Sequence, residues 1–216
     1  MYKKPYFWVR PSLPNRRVCV YNWRVRQTQS LIFWEGCALP AEDIGGIRMS
    51  QDPSTYDLIL DAECEADRIL EYGALSTTIP APVVREDVLG ILQEACPEDF
   101  QAFPVTIQGV NPKIPPFELT NYFLINVTNI SGQLDEELCD GKINYEIHQS
   151  AIKYTILKED HMEGHHLSRL RGEKIHVIVS PYLRQRLMKS KIWGLKFEKD
   201  GAEKRLRHLA MDAQTA

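Results

Sequence analysis

The segment HHLSRLRGEKIHVIVSPYLRQRLMKSKIWGLKFEKD, His165 to Asp200, reads as one strand–helix–strand unit. Ile175, Val177 and Val179 recur at every second position, the period of a β-strand. Ser180 follows, and its hydroxyl can accept from the free N–H groups of a first helical turn. Pro181 then stands where a missing N–H costs nothing. Leu183, Leu187 and Met188 share one helical face, while Arg184, Arg186 and Lys189 stay in water. Gly194 marks the next turn, and Leu195 and Phe197 alternate inward along a closing strand. No residue of the unit belongs to a catalytic motif, so the segment is scaffold.

A second unit with the same order of parts lies between Ile79 and Gln108. Val83 and Val84 lead into a helix on which Val88, Leu89, Leu92 and Cys96 share a face. Pro97 ends it, and Phe103 to Ile107 form a strand. Upstream, the aromatic first fifty residues, broken by Pro11, Pro14 and Pro40, suit short strands. Gly45 to Pro53 reads as loop, and Ala62 to Tyr72 as a helix stopped by Gly73, with Ala62, Ala66, Ile69 and Leu70 inward. Downstream, Asn111 to Pro116 (NPKIPP) must be loop, Tyr122 to Val127 a strand, Ser131-Gly132 a turn, and Ile143 to Leu157 one or two strands. After Asp200 a charged, fraying helix is expected. Mixed elements with hairpin-length links predict an α+β fold: mainly antiparallel sheets, a few flanking helices and two related strand–helix–strand units. Two regions are expected, a β-rich part with one helix over residues 1–78 and an α+β domain over residues 79–216.

The chain of 216 residues, 44% hydrophobic and 25% charged, has the composition of an ordinary globular protein. No run reaches the roughly 18 to 20 apolar residues that span a bilayer. The basic start lacks an apolar stretch behind it, because Arg10, Pro11 and Pro14 interrupt, so a cytoplasmic location is expected. Five cysteines without CxxC spacing predict reduced, buried thiols. Charge is unevenly placed. Residues 1–26 hold seven bases and no acid, whereas Asp57, Asp61, Glu63, Glu65, Asp67 and Glu71 surround the single base Arg68. A second acidic knot is Asp135, Glu136, Glu137 and Asp140. A net charge of -3 argues against direct binding of nucleic acid.

Catalytic signatures are missing: there is no GxGxxG, GxxxxGK[ST], HExxH or GxSxG. The histidine cluster His161, His165 and His166 allows a metal reading, since His161 and His165 stand at i, i+4. Gly164 weakens a helix there, and a polar turn before a strand is the simpler account; neither a metal nor a cofactor is expected. Paired carboxylates on Asp61 to Glu71 are first a solvated helix face. Such a surface can also fill the basic groove of a nuclease, accelerating association and excluding substrate without any catalytic geometry.

Three stretches resemble the immunity proteins of bacterial polymorphic toxin systems, of the immunity-protein-eleven type, first catalogued as a domain of unknown function. They are VVREDVLGILQEACPEDFQAFPVTI before Gln108, NYFLINVTNISGQLDEE from Asn121 to Glu137, and the opening segment, through Arg169-Leu170, Val179-Ser180, Leu183, Leu187, Gly194 and Phe197. Together they cover Ile79 to Lys199. Ser168 departs from the pattern, standing where the family has an aromatic, NPKIPP is longer than usual, and the N-terminal third has no clear match. The resemblance implies a non-catalytic inhibitor that binds a cognate toxin domain encoded by an adjacent gene, with no membrane or nucleic-acid partner. The residues expected to meet that partner are Asp61, Glu63, Glu65, Asp67, Glu71, Asp135, Glu136, Glu137 and Asp140. Two other readings stand beside it: a small metal-dependent hydrolase using His161, His165 and His166, and an adaptor module without a toxin partner.

Overall fold

A computed structural model describes residues 6–9, 20–25, 58–75, 81–139, 141–144, 149–152, 155–158, 162, 164–170 and 177–201. Its larger sheet contains β2 (Val20–Val25), β3 (Leu58–Ala62), β4 (Ala74–Leu75), β5 (Val83–Arg85), β6 (Phe100–Gly109) and β7 (Glu118–Val127). They are ordered β2-β3-β6-β7-β5-β4, and β3–β6 is the one parallel pair among the described strands. A second sheet is formed by β1 (Tyr6–Val9), β10 (Leu167–Arg169), β11 (Val177–Val179) and β12 (Lys196–Glu198), ordered β10-β11-β1-β12 and wholly antiparallel. β8 (Gly141–Asn144) and β9 (Gln149–Ile152) make a separate hairpin. The described helices are α1 (Ala66–Leu70), α2 (Glu86–Ala95), α3 (Glu136–Cys139) and α4 (Pro181–Lys189), with a 3-10 turn at Pro97–Asp99. The fold is α+β, as the mixture of elements predicted.

Both strand–helix–strand units form, and both are split. β5 and β6 flank β7, to which each is antiparallel; β11 and β12 flank β1 in the same way. The inserted strand comes from the adjoining hairpin in one case and from the chain's beginning in the other. α2 begins with Glu86 and Asp87, whose charges suit the positive end of the helix, and Pro97 starts the turn that ends it. α4 is capped as expected, Ser180 Oγ accepting from Leu183 N at 3.2 Å.

Strand alternation sorts the apolar residues onto three cores. Phe103, Val105, Ile107, Tyr122 and Leu124 point to one face of the six-stranded sheet, where Ile69 of α1 packs. Phe100, Ile125 and Val127 point to the other and meet Val88, Leu89 and Leu92 of α2 and Leu183 and Leu187 of α4. Leu167, Val177 and Val179 of the four-stranded sheet close that second core. Ile178, on the opposite face of β11, joins Leu134, Cys139 and Leu157 in a third. The two sheets thus enclose the middle core, with α1 and α3 on the outer ones.

The helix expected from Ala62 to Tyr72 is shorter than that, covering Ala66–Leu70 alone. Ala62 ends β3, whose residues Leu58 to Ala62 are all buried, and α1 begins only at Ala66. A strand buried on both faces is continuously apolar rather than alternating, and Asp61 interrupting it concealed the run. Other expectations fall outside the described residues: the Gly45–Pro53 loop, Ile175 and the helix after Asp200.

Candidate partner-binding surface

The first acidic set is divided by its backbone. Asp61 is buried within β3, whereas Glu63, Glu65, Asp67 and Glu71 are exposed around α1. Tyr122 holds this short helix from beneath, its hydroxyl lying 2.8 Å from the Ile69 carbonyl and 2.7 Å from that of Tyr72. The Arg85 guanidinium donates to the Leu70 carbonyl, and Asn111 Nδ2 donates to the Glu63 carbonyl at 2.9 Å, tying the NPKIPP loop to the same edge. Arg85 also pairs with Asp87 at 2.7 Å. Partial burial opposes ionisation of Asp87, but the Arg85 hydrogen bond and charge and the Val88 N–H outweigh it, leaving the carboxyl below its ordinary value. Burial lifts the Tyr122 phenol to about 12.

The second set serves partly in folding. Asp135 Oδ1 accepts from Leu138 N at 3.1 Å and starts α3; Glu136 and Glu137 are exposed, and Asp140 lies outside the described residues. Because α1 covers the first core and α3 the third, both sheets stand between the sets. The structure groups Glu63, Glu65, Asp67 and Glu71 and keeps Glu136 and Glu137 away from them.

His165 and His166 belong to a joint between the two sheets; His161 lies outside the described residues. Asp99, 2% exposed, accepts from His166 N at 2.8 Å, Leu167 N at 3.0 Å and Asn129 Nδ2 at 3.3 Å, and its carboxylate is 2.5 Å from His165 Nδ1. His166 Nδ1 is 2.9 Å from Ser180 Oγ, and its ring packs against Tyr182 with centroids 4.7 Å apart. A serine–histidine contact is the start of a nucleophile–base pair. Here, however, the carboxylate meets the other histidine and the backbone, while the serine oxygen caps α4. Among the described residues no three side chains of metal-ligating type converge. Asp99 in sequence is merely the end of a polar PED turn; only the tertiary fold discloses its role.

A different feature stands out on the surface. Trp193 is 73% exposed on the turn between α4 and β12. That turn is held firmly: Gly73 N donates to the Trp193 carbonyl at 2.8 Å, and Tyr72 and Trp193 form a parallel bridge. Ile192 packs inward, with its Cγ2 only 1.9 Å from where a Cβ on Gly73 would lie. Lys191 has φ of 56° and Gly194 of 88°. A Cβ on Gly194 would come within 2.5 Å of the Ala74 carbonyl oxygen. Trp193, Leu195 and Phe197 have the spacing of one inward strand face, but the left-handed backbone at Gly194 breaks the alternation and turns Trp193 outward. Sequence reasoning missed it for that reason; a tryptophan between lysine-rich and glycine residues was the available sign.

No helix among the described residues is long and apolar enough to cross a membrane. No curated protein matches the chain. The model of one family, described as immunity protein family Imm11, matches residues 17–202, which include both strand–helix–strand units, the α1 edge and the Trp193 turn. With most of its length matched, the chain belongs to the Imm11 immunity protein family.

Proposed function

We propose that this protein binds and neutralises a cognate bacterial toxin domain, acting by occlusion rather than by chemistry. The observation that carries the proposal is the family match over residues 17–202. An inhibitor of this kind needs a rigid frame and a presented face. The three packed cores supply the first, and the exposed carboxylates Glu63, Glu65, Asp67 and Glu71 supply part of the second. Where the toxin is a nuclease, these acids face its basic groove, raising the association rate and keeping nucleic acid out.

Co-expression with the product of the adjacent gene tests this. The C-terminal domain of that product is expected to be toxic alone, tolerated with this protein, and co-purified with it. A harmless or non-binding neighbour would refute the proposal. Reversing Glu63, Glu65, Asp67 and Glu71 should slow association with a nuclease toxin at low salt, where such charges are least screened.

A further inference from the structure

We propose that the Trp193 turn is the anchor by which the protein grips its toxin, seating the indole in an apolar pocket whose rim carries carboxylates. The inference rests on the toxin-binding reading and names the contact within it.

Exposure alone does not distinguish an anchor from an accident. What does is that the turn is built to hold the indole out. The last residue before such a turn usually takes glycine or asparagine, yet Lys191 adopts φ of 56° there. Close approach of the turn to the Glu71–Ala74 segment depends on two glycines, since a Cβ on Gly73 would meet Ile192 at 1.9 Å and one on Gly194 would meet Ala74 O at 2.5 Å. Ile192 is drawn into the middle core while its neighbour is left in water. An uncommon backbone retained beside an exposed aromatic is the arrangement expected of a preorganised contact. Binding then freezes little of the turn, and most of the indole's apolar area remains to be buried. Tryptophan is also the side chain most enriched among residues that dominate protein interfaces.

The partner's chemistry follows from the surroundings. From Pro181 to Leu195 the chain carries Arg184, Arg186, Lys189 and Lys191 and no acid. Arg186 is engaged by Glu94 across the helix pair. Lys189 and Lys191, both exposed, flank the turn, and among the described residues neither forms an ion pair. Met188, 49% exposed, extends the apolar surface along the last turn of α4. An apolar centre with an ammonium rim fits a protein pocket edged by aspartate or glutamate. The acidic α1 edge comes up to the other side of the turn through Glu71, beside Tyr72, so the carboxylate rim belongs on the α4 side of the indole and a basic surface of the toxin on the α1 side.

The test uses the purified full-length protein and the C-terminal domain of the adjacent gene's product, carried as a non-toxic variant. Binding kinetics are measured for wild type, Trp193→Ala, Trp193→Phe and Lys189→Glu/Lys191→Glu. Trp193→Ala should weaken binding at least thirtyfold, mainly through faster dissociation, with an unchanged thermal midpoint. The lysine reversals should slow association severalfold at low salt. Tryptophan fluorescence should shift to the blue on binding in wild type, and Trp193→Phe should lack that shift. Absence of wild-type binding would defeat the proposed function itself. Wild-type binding with less than threefold change in Trp193→Ala would defeat the anchor and leave the function standing. The anchor would equally be overturned if Trp193→Ala instead abolished self-association of the free protein, or binding of a single-stranded oligonucleotide, without affecting the toxin.

Discussion

Replacing Asp99 by alanine should remove a larger share of the stability than any exposed carboxylate could. The carboxylate is buried and accepts from two backbone N–H groups at the start of β10, His166 N at 2.8 Å and Leu167 N at 3.0 Å. Each would be left without an acceptor, at a cost of about 1–3 kcal/mol. The half-exposed His165 contact adds roughly 1 kcal/mol or less. A water entering the small space would recover part of this, so the expected loss is about 3–5 kcal/mol. At about 2–4 °C per kcal/mol for a chain of this size, the thermal midpoint should fall by about 6–20 °C. Asp99→Asn keeps one acceptor oxygen and should lose about half as much. Urea unfolding of wild type, Asp99→Ala, Asp99→Asn and His165→Ala measures all four. An Asp99→Ala loss under about 1 kcal/mol, or an equal loss in His165→Ala, would refute the claim that the carboxylate works by holding the β10 backbone.

Ser168, wholly buried, accepts from Gly132 N at 2.9 Å, so Ser168→Ala should cost about 1–3 kcal/mol of unfolding free energy by urea titration. Gly194→Ala meets both φ of 88° and the Ala74 carbonyl oxygen; it should lower the melting temperature and raise hydrogen exchange at Gly73 N, and by more than Gly164→Ala, which meets the strain of φ 73° but no atom within 4 Å. Burial raises the Cys96 thiol from 9.0 to about 12, with the Asp99 charge adding to it, and the Tyr122 phenol from 10.0 to about 12. The folded state therefore favours their neutral forms, so stability should hold below pH 9 and decline as pH rises toward 12. Tyr122→Phe should lessen the decline above pH 10 while weakening α1, detectable by denaturant midpoints across pH. Asp87 has the opposite sign: its lowered value contributes stability above the ordinary carboxylate range of 3.8, lost as pH falls through the folded value, and Asp87→Asn should remove that acid dependence.

The strand–helix–strand units were legible because their signals are local. Ser180 and Pro181 mark a helix start, Val88, Leu89 and Leu92 share a helical face, and Pro97 ends it, whatever the rest of the chain does. Ala62 was misplaced because a strand buried on both faces lacks the period-two pattern, and the carboxylate at Asp61 mimicked a wet helix face. The acidic candidates show the same limit. Their charge could be counted, but whether Asp61 is buried, Asp135 caps a helix and Glu136 faces away from Glu63 depends on the layers between them. Ser168, the departure noted in the resemblance, is buried and accepts from Gly132 N, a contact that no local pattern foretells.

By itself, the sequence determined the α+β class and the two strand–helix–strand units, which rest on local residue spacing, and the resemblance to an immunity family, which rests on three stretches between Ile79 and Lys199. Only the tertiary structure decided which strand splits each unit. β1 reaches its place between β11 and β12 across most of the chain, and no local pattern encodes that pairing. It also decided which residues face outward. Trp193 shares the spacing of Leu195 and Phe197, but the backbone turns at Gly194, where φ is positive and the Ala74 carbonyl leaves no room for a Cβ, and the indole stays outside. Side-chain spacing predicts a face only while the backbone keeps its period, and at this turn contacts with a segment some 120 residues away end it.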